Sequence, residues 1–360
     1  FLYYPHNYLI LNLYNNKEKL FAGKFIWSES MKQAIYVSSY KSKQIHVWKI
    51  DKNGKLILLQ QLRLPYGVQP IKISYDGRHL YVGVHDYFAI ITYLISDELK
   101  ISQQAITTIQ SPPTYIEIDH YCRWLFVPSY HKGNLMVLPI DKHGIARSPI
   151  QSISNLKHPH SSKINFDDSR LFVPCLGEDH IRIYKINNDG YLTEDTDNKI
   201  TTNKGSGPRH MVFSLNQNTF YCLNELDATI NVYSKFKTYQ QTQSCKILPI
   251  GSKIKPWASD IHITPNGRHL YASERSSSII RHFKITKDGL KLLPIAIYST
   301  ENQPRGFDID QNGIFLLVAG QKSNHIIVYK IDRITGALYA LDRYPVGINP
   351  MWITTNLIKN

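Results

Sequence analysis

Seven times along this chain a large apolar or aromatic residue is followed, twelve positions later, by a second one. The pairs are Tyr36/Trp48, Tyr81/Tyr93, Phe126/Leu138, Phe172/Tyr184, Tyr221/Tyr233, Tyr271/Phe283 and Leu317/Tyr329. Their first members lie 45, 45, 46, 49, 50 and 46 residues apart. A period in the forties, built of short alternating apolar runs, marks a β-propeller with one sheet per repeat. The expected fold is therefore all-β, a seven-bladed β-propeller. Length alone would divide 360 residues into two domains. A ring of blades that each pack only on their neighbours makes one body instead. No linker-like composition interrupts residues 31–360, which are expected to form a single domain.

Within a unit, Asp76-Gly77 separates the run Pro70–Ser74 from the strand Leu80–Val84, and the β-rich stretch Phe88–Tyr93 follows. Related turns recur at Asp168-Ser169-Arg170, Asn266-Gly267-Arg268 and Gln311-Asn312-Gly313. Gly54, Gly144, Gly190, Gly289 and Gly336 mark a further turn after five of the pairs. Each unit reads as three strands, with a fourth less distinct. Met31–Val37 looks like a second strand without a first, and Pro350–Thr354 like a first strand left over at the other end. Pairing of the two would complete one blade from both termini and leave no free edge. Residues 1–30 precede the first methionine, Met31, and lack the layout of a signal peptide. They are expected to be an appended or mis-assigned leader, packed peripherally or poorly.

The formal net charge is +14, but the basic residues are scattered, with no run of five or more. That pattern argues against a nucleic-acid tail and allows attraction of an anionic small molecule. No stretch of about eighteen apolar residues suggests a membrane span. Four cysteines without CxxC spacing suit a reduced, cytoplasmic setting. A monomer acting on a small molecule, with neither nucleic acid nor membrane as partner, is the expectation.

In a four-stranded blade the start of the innermost strand and the loop after the second strand meet near the axis. Counting twelve back from each first member gives Lys24, Gln69, Thr114, His160, Arg209, Ser259 and Arg305. Counting four forward gives Tyr40, His85, Tyr130, Leu176, Glu225, Arg275 and Gln321. One imidazole and two guanidiniums thus share a register in three blades, and Glu225 shares a blade with Arg209. Such a set suits an anionic, oxygen-rich ligand, because Arg binds carboxylate or phosphate in a planar, bidentate manner. Arg and Glu on adjacent loops also make blade-to-blade ion pairs, so each residue alone is weaker testimony than the four in register.

At these same residues the chain resembles a known family. Gly207–Phe213, Asn224-Glu225-Leu226, Asp260–Ala272, Gln303–Phe307, Ala319–Ser323 and Gly347–Trp352 are similar to words of the bacterial 6-phosphogluconolactonases, within the lactonase/muconate-cyclase (cycloisomerase 2) propellers. The resemblance runs from Met31 to about Thr355. It implies hydrolysis of 6-phosphoglucono-1,5-lactone in the pentose phosphate pathway, with His160, Arg209, Glu225 and Arg305 as catalytic positions. His210, Arg275, Gln321 and Lys322 would assist substrate binding. One departure is Lys163, where the family more often ends a His-Ser-Ala-Asn run; Pro159 is another. By this reading Glu225 or His160 is the base, and Arg209 or Arg305 faces the oxyanion while the other holds phosphate.

Two rival readings are a muconate lactonising enzyme and a non-catalytic scaffold. None of the five tryptophans precedes Asp, against a WD-type scaffold. GxSxG, P-loop, GxGxxG and HExxH motifs do not occur. His158-Pro159-His160 lacks a further ligand at metal spacing, so neither metal nor other cofactor is expected.

Overall fold

The computed structural model describes residues 31–359; the proposed leader, including Lys24, lies outside them. Seven antiparallel sheets follow one another around an axis. The closing blade orders Pro350–Lys359, Met31–Ser39, Gln44–Ile50 and Leu56–Arg63 from the axis outward. Val37 faces Ile353 and Tyr36 faces Thr354 across the junction, so the two ends of the described chain share one sheet as expected. Blade two runs Val68–Ile73, His79–Val84, Ala89–Ile95, Ile101–Thr108; blade three starts at Glu117–Ile118 and blade four at Lys163–Ile164. Blades five, six and seven start at Pro208–Phe213, Ala258–Ile263 and Pro304–Ile309.

Every blade has the fourth strand that was indistinct in sequence. The reason is visible in Ile101–Thr108 and Leu292–Ser299, which alternate between exposed and half-buried positions. An outer edge strand that covers only one face carries half the apolar signal of an inner one.

The twelve-residue pairs are the second and third strands of each blade, with Leu80 opposite Tyr93 and Leu270 opposite Phe283. All fourteen members are buried. Each large side chain removed from water contributes roughly 1.5–3 kcal/mol. Four first members also latch onto the next blade. Tyr81, Tyr221 and Tyr271 donate their hydroxyls to the carbonyls of Gly144, Gly289 and Gly336 at 2.8, 2.7 and 2.6 Å. Tyr36 donates to Leu99 at 3.3 Å, and Leu99 holds the same left-handed turn (φ 70°) without being glycine. The turn glycines of the repeat therefore receive the aromatic of the preceding blade.

Candidate functional site

In most blades the two register positions are tied together by a backbone hydrogen bond. Leu176, Glu225, Arg275 and Gln321 donate N–H to the carbonyls of His158, Gly207, Trp257 and Gln303, at 3.0, 2.7, 3.0 and 3.0 Å. Each acceptor stands two residues before the start position, so loop and inner strand arrive at the axis as a unit. Most inner strands are also bulged there. Pro208 faces Asn224 and His210 faces Leu223, which leaves Arg209 as the extra residue; Arg305 is extra in the same way between Pro304 and Gly306. A bulge re-aims the side chain it carries, and proline costs no ladder bond at a strand's first residue. In the closing blade this extra place belongs to Met351, between Pro350 and Trp352, and not to Lys24, which the count had put there.

Arg209 is completely buried and donates from Nε to Glu225 Oε2 at 2.7 Å and from Nη1 to the Ser259 carbonyl. The same Glu225 oxygen pairs with Arg275 Nη2 at 2.9 Å, and Oε1 accepts from Trp257 Nε1 at 3.2 Å. Arg275 lies over the Trp257 ring, 3.9 Å from its centroid. Burial alone would raise the Glu225 pKa, but Arg209, Arg275 and Arg305 outweigh it and hold the carboxyl below its ordinary value. With three donors on it, this carboxylate is a clamp for guanidiniums and a poor proton acceptor. Arg305 has no carboxylate partner of its own among the described residues, and its buried Nε is unpaired, as is Arg209 Nη2. Hydroxyls bridge the blades behind this set: Ser161 Oγ donates to the Arg209 carbonyl at 2.6 Å and Ser259 Oγ to that of Arg305 at 2.5 Å.

His160 sits against the Tyr130 edge (5.6 Å between centroids) and the His210 ring (5.2 Å), with Nδ1 buried and unpaired. Burial, then Arg209, His210, Arg305 and Arg275, push its pKa well below 6.5. The structure thus brings together His160, Arg209, Glu225, Arg305, His210 and Arg275, from four successive blades. Gln321 stands on the same blade as Arg305 but is turned toward the closing blade, accepting from Gln303 Nε2 at 2.8 Å and donating to Met351 Sδ at 2.9 Å. Lys322 is exposed, and only its backbone N–H is held, by the Asn302 carbonyl.

Counting also missed a deeper ring. The residues facing the first members across the inner ladder are Lys72, Glu117, Lys163, Val212, His262, Asp308 and Thr354. Six of the seven lie nine positions before their partner, a count that would have found them. Most of them line a channel cavity of about 250 Å³. Lys72 and Lys163 pair with the two oxygens of the buried Glu117 at 2.9 and 3.3 Å. The departure at Lys163 therefore lands in the channel, clear of the mouth. Among the described residues no cluster of three or more His, Cys, Asp or Glu could hold a metal ion, and no helix is long and apolar enough to cross a membrane. All four cysteines are unpaired.

A family model described as lactonase, seven-bladed β-propeller, matches residues 34–355. The chain is 49% identical over 324 residues to the 6-phosphogluconolactonase of Photorhabdus laumondii, covering 90% of this chain and 99% of that one. It is 48% identical, with the same coverage, to that of Xenorhabdus nematophila. The periplasmic gluconolactonase of Pseudomonas aeruginosa superposes with a TM-score of 0.83 at 24% identity, over 91% of this chain and 99% of that one, a likeness that speaks for the fold.

Proposed function

The chain belongs to the seven-bladed β-propeller lactonase family, and on that premise we propose that it hydrolyses 6-phospho-D-glucono-1,5-lactone to 6-phospho-D-gluconate, in the oxidative pentose phosphate pathway. The observation that supports this most is the mouth itself. Two guanidiniums pair with a single carboxylate and a third, Arg305, stands near it, leaving a cationic surplus beside two neutral imidazoles. That is the complement of a phosphorylated, carbonyl-bearing sugar.

A sugar δ-lactone is an activated ester, so the site has a modest barrier to lower and no nucleophilic serine is needed. A positioned general base supplies about 10²–10⁴-fold, and each oxyanion donor about 10²–10³-fold. Arg209, clamped by Glu225 and Ser259 with Nη2 left over, is rigid enough to face the developing oxyanion. Arg305, half-buried and without a carboxylate, takes the phosphate, whose two charges relieve its repulsion with Arg209. Glu225 keeps both arginines in place and is not the base. The proton acceptor is then an imidazole, His160 or His210.

The test is a coupled assay on freshly generated 6-phosphogluconolactone, corrected for spontaneous hydrolysis, with unphosphorylated gluconolactone and carboxymuconolactone beside it. Preference for the phosphorylated lactone is expected. Turnover of the muconate compound alone would reject the assignment.

A further inference from the structure

His210 is held differently from every other group at the mouth. Its Nδ1–H donates to Asp260 Oδ1 at 2.8 Å, which fixes the tautomer and turns the lone pair of Nε2 away from Asp260. Nε2 is buried and has no partner among the described residues. The ring is wedged among Tyr115, His160 and Trp352, with centroids 5.3, 5.2 and 5.9 Å away. Asp260 is fixed in turn. Its Oδ2 meets His262 Nε2 at 3.2 Å and the Phe307 N–H at 3.4 Å, and its own N–H donates to Ser273 Oγ at 3.0 Å. His262 Nδ1 lies 3.6 Å from Asp308 Oδ1, on the channel side. A carboxylate held from behind, orienting an imidazole with one free nitrogen, is the arrangement by which a general base is prepared.

We propose that His210 is the general base of the lactonase reaction and that Asp260 is the positioning residue that orients it and balances its charge. The inference rests on the lactonase reading above. His210 Nε2 takes a proton from water as the water oxygen bonds to the lactone carbonyl carbon. The tetrahedral oxyanion, facing Arg209, collapses and breaks the bond from that carbon to the ring oxygen. The proton on Nε2 passes to the departing ring oxygen, which becomes a hydroxyl. Water is consumed, the hydroxy acid is formed and His210 is neutral again.

The comparison with His160 decides between the imidazoles. A proton arriving on His160 would be opposed by burial and by Arg209, Arg305 and Arg275, and among the described residues no carboxylate is hydrogen-bonded to the ring. A proton arriving on His210 meets the same Arg209, but Asp260 stands 2.8 Å behind it. His160 is left to donate a hydrogen bond to substrate oxygen. The charged and titratable groups around His210 are Tyr115, His160, Arg209, Asp260 and His262, from blades three to six. Burial and Arg209 push its pKa down to about 4, against the pull of Asp260. The ring is therefore neutral throughout the physiological range, and activity is lost only as pH falls through that value.

The test is steady-state hydrolysis of 6-phosphogluconolactone between pH 3.5 and 8 by the full chain and by H210Q, D260N and H160Q, with thermal melts of each. Glutamine at 210 can still donate to Asp260 while accepting no proton, so kcat should fall about 10²-fold or more. Asn at 260 should lower kcat at least about tenfold with KM within about threefold, and should move the acid limb of kcat/KM to still lower pH. H160Q should raise KM and keep the wild-type acid limb. A folded H210Q with more than about a third of wild-type kcat overturns the proposal, as does loss of the acid limb in H160Q. If D260N does not fold, the H210Q and H160Q pair decides. A wild-type chain inactive on the lactone would sink the functional reading; an active wild type with an active H210Q sinks only this inference.

Discussion

Replacing Glu225 by Gln separates a clamp from a base. The substitution keeps shape and removes one negative charge from between Arg209 and Arg275, which touch it at 2.7 and 2.9 Å. Arg209 is fully buried and Arg275 nearly so, leaving both guanidiniums without a counter-charge. Breaking a buried ion pair from one side costs about 3–5 kcal/mol. The Glu225 side chain is 13% exposed, and its amide replacement can still accept one hydrogen bond, so the lower figure applies. At roughly 2 °C of Tm per kcal/mol for a chain of this size, the melt should fall by about 6 °C. Because the carboxyl pKa is depressed in the fold, its stabilisation is complete above the ordinary carboxylate value. It is lost as pH falls through the folded value, so the gap between variant and wild type should narrow once pH drops below the ordinary carboxylate range. Inorganic phosphate should restore part of the lost stability by filling a mouth that has become more cationic. Turnover should fall about tenfold while the shape of the pH–rate profile is kept. An unchanged melt, together with loss of the acid limb in E225Q, would refute the clamp and make Glu225 the base.

Arg305→Ala should raise KM for the phosphorylated lactone about 10–100-fold, the worth of a charged hydrogen bond, with little effect on unphosphorylated gluconolactone; equal losses on both would move the phosphate to another residue. Gly207 has φ +65° and carries the carbonyl that holds the Glu225 N–H, and a Cβ there would stand 2.8 Å from Leu226 Cγ. Gly207→Ala should therefore cut kcat/KM, whereas Gly205→Ala, with φ +76° and open space, should cost only the roughly 1–2 kcal/mol of a left-handed residue. Removing residues 350–360 would leave Met31–Ser39 as an unpaired inner edge; loss of the cooperative melt and aggregation on size exclusion are expected, and a soluble, two-state product would argue against ring closure as a source of stability.

Residue spacing alone carried much of this molecule. Tyr81 and Tyr93, or Tyr271 and Phe283, advertise a second and third strand because each fills the space between two sheets and is apolar on that account. The same spacing extended to His160, Arg209, Arg305, Glu225 and Arg275, since equivalent places in equivalent blades share one distance from the axis. It failed at Lys24, because the closing blade takes its inner strand from the other end of the chain and Met351 holds that place. It could not weigh Gln321 or Lys322 against the rest, since being held by Gln303 and Met351, or turned to solvent, leaves no mark in a count.

The repeat length, the number of sheets, the strands that join at closure and the identity of the mouth residues were determined by the linear order of side chains, because a β-ladder and a ring turn constant spacing into constant position. Only the tertiary structure decided the pairings: Glu225 with both Arg209 and Arg275, Lys163 with Glu117 in the channel, and His210 with Asp260, fifty residues apart. Those contacts depend on bulges that turn Arg209 and Arg305 out of the ladder and on which blades stand side by side. Charges choose partners by distance in space, and that distance exists only once the ring has closed.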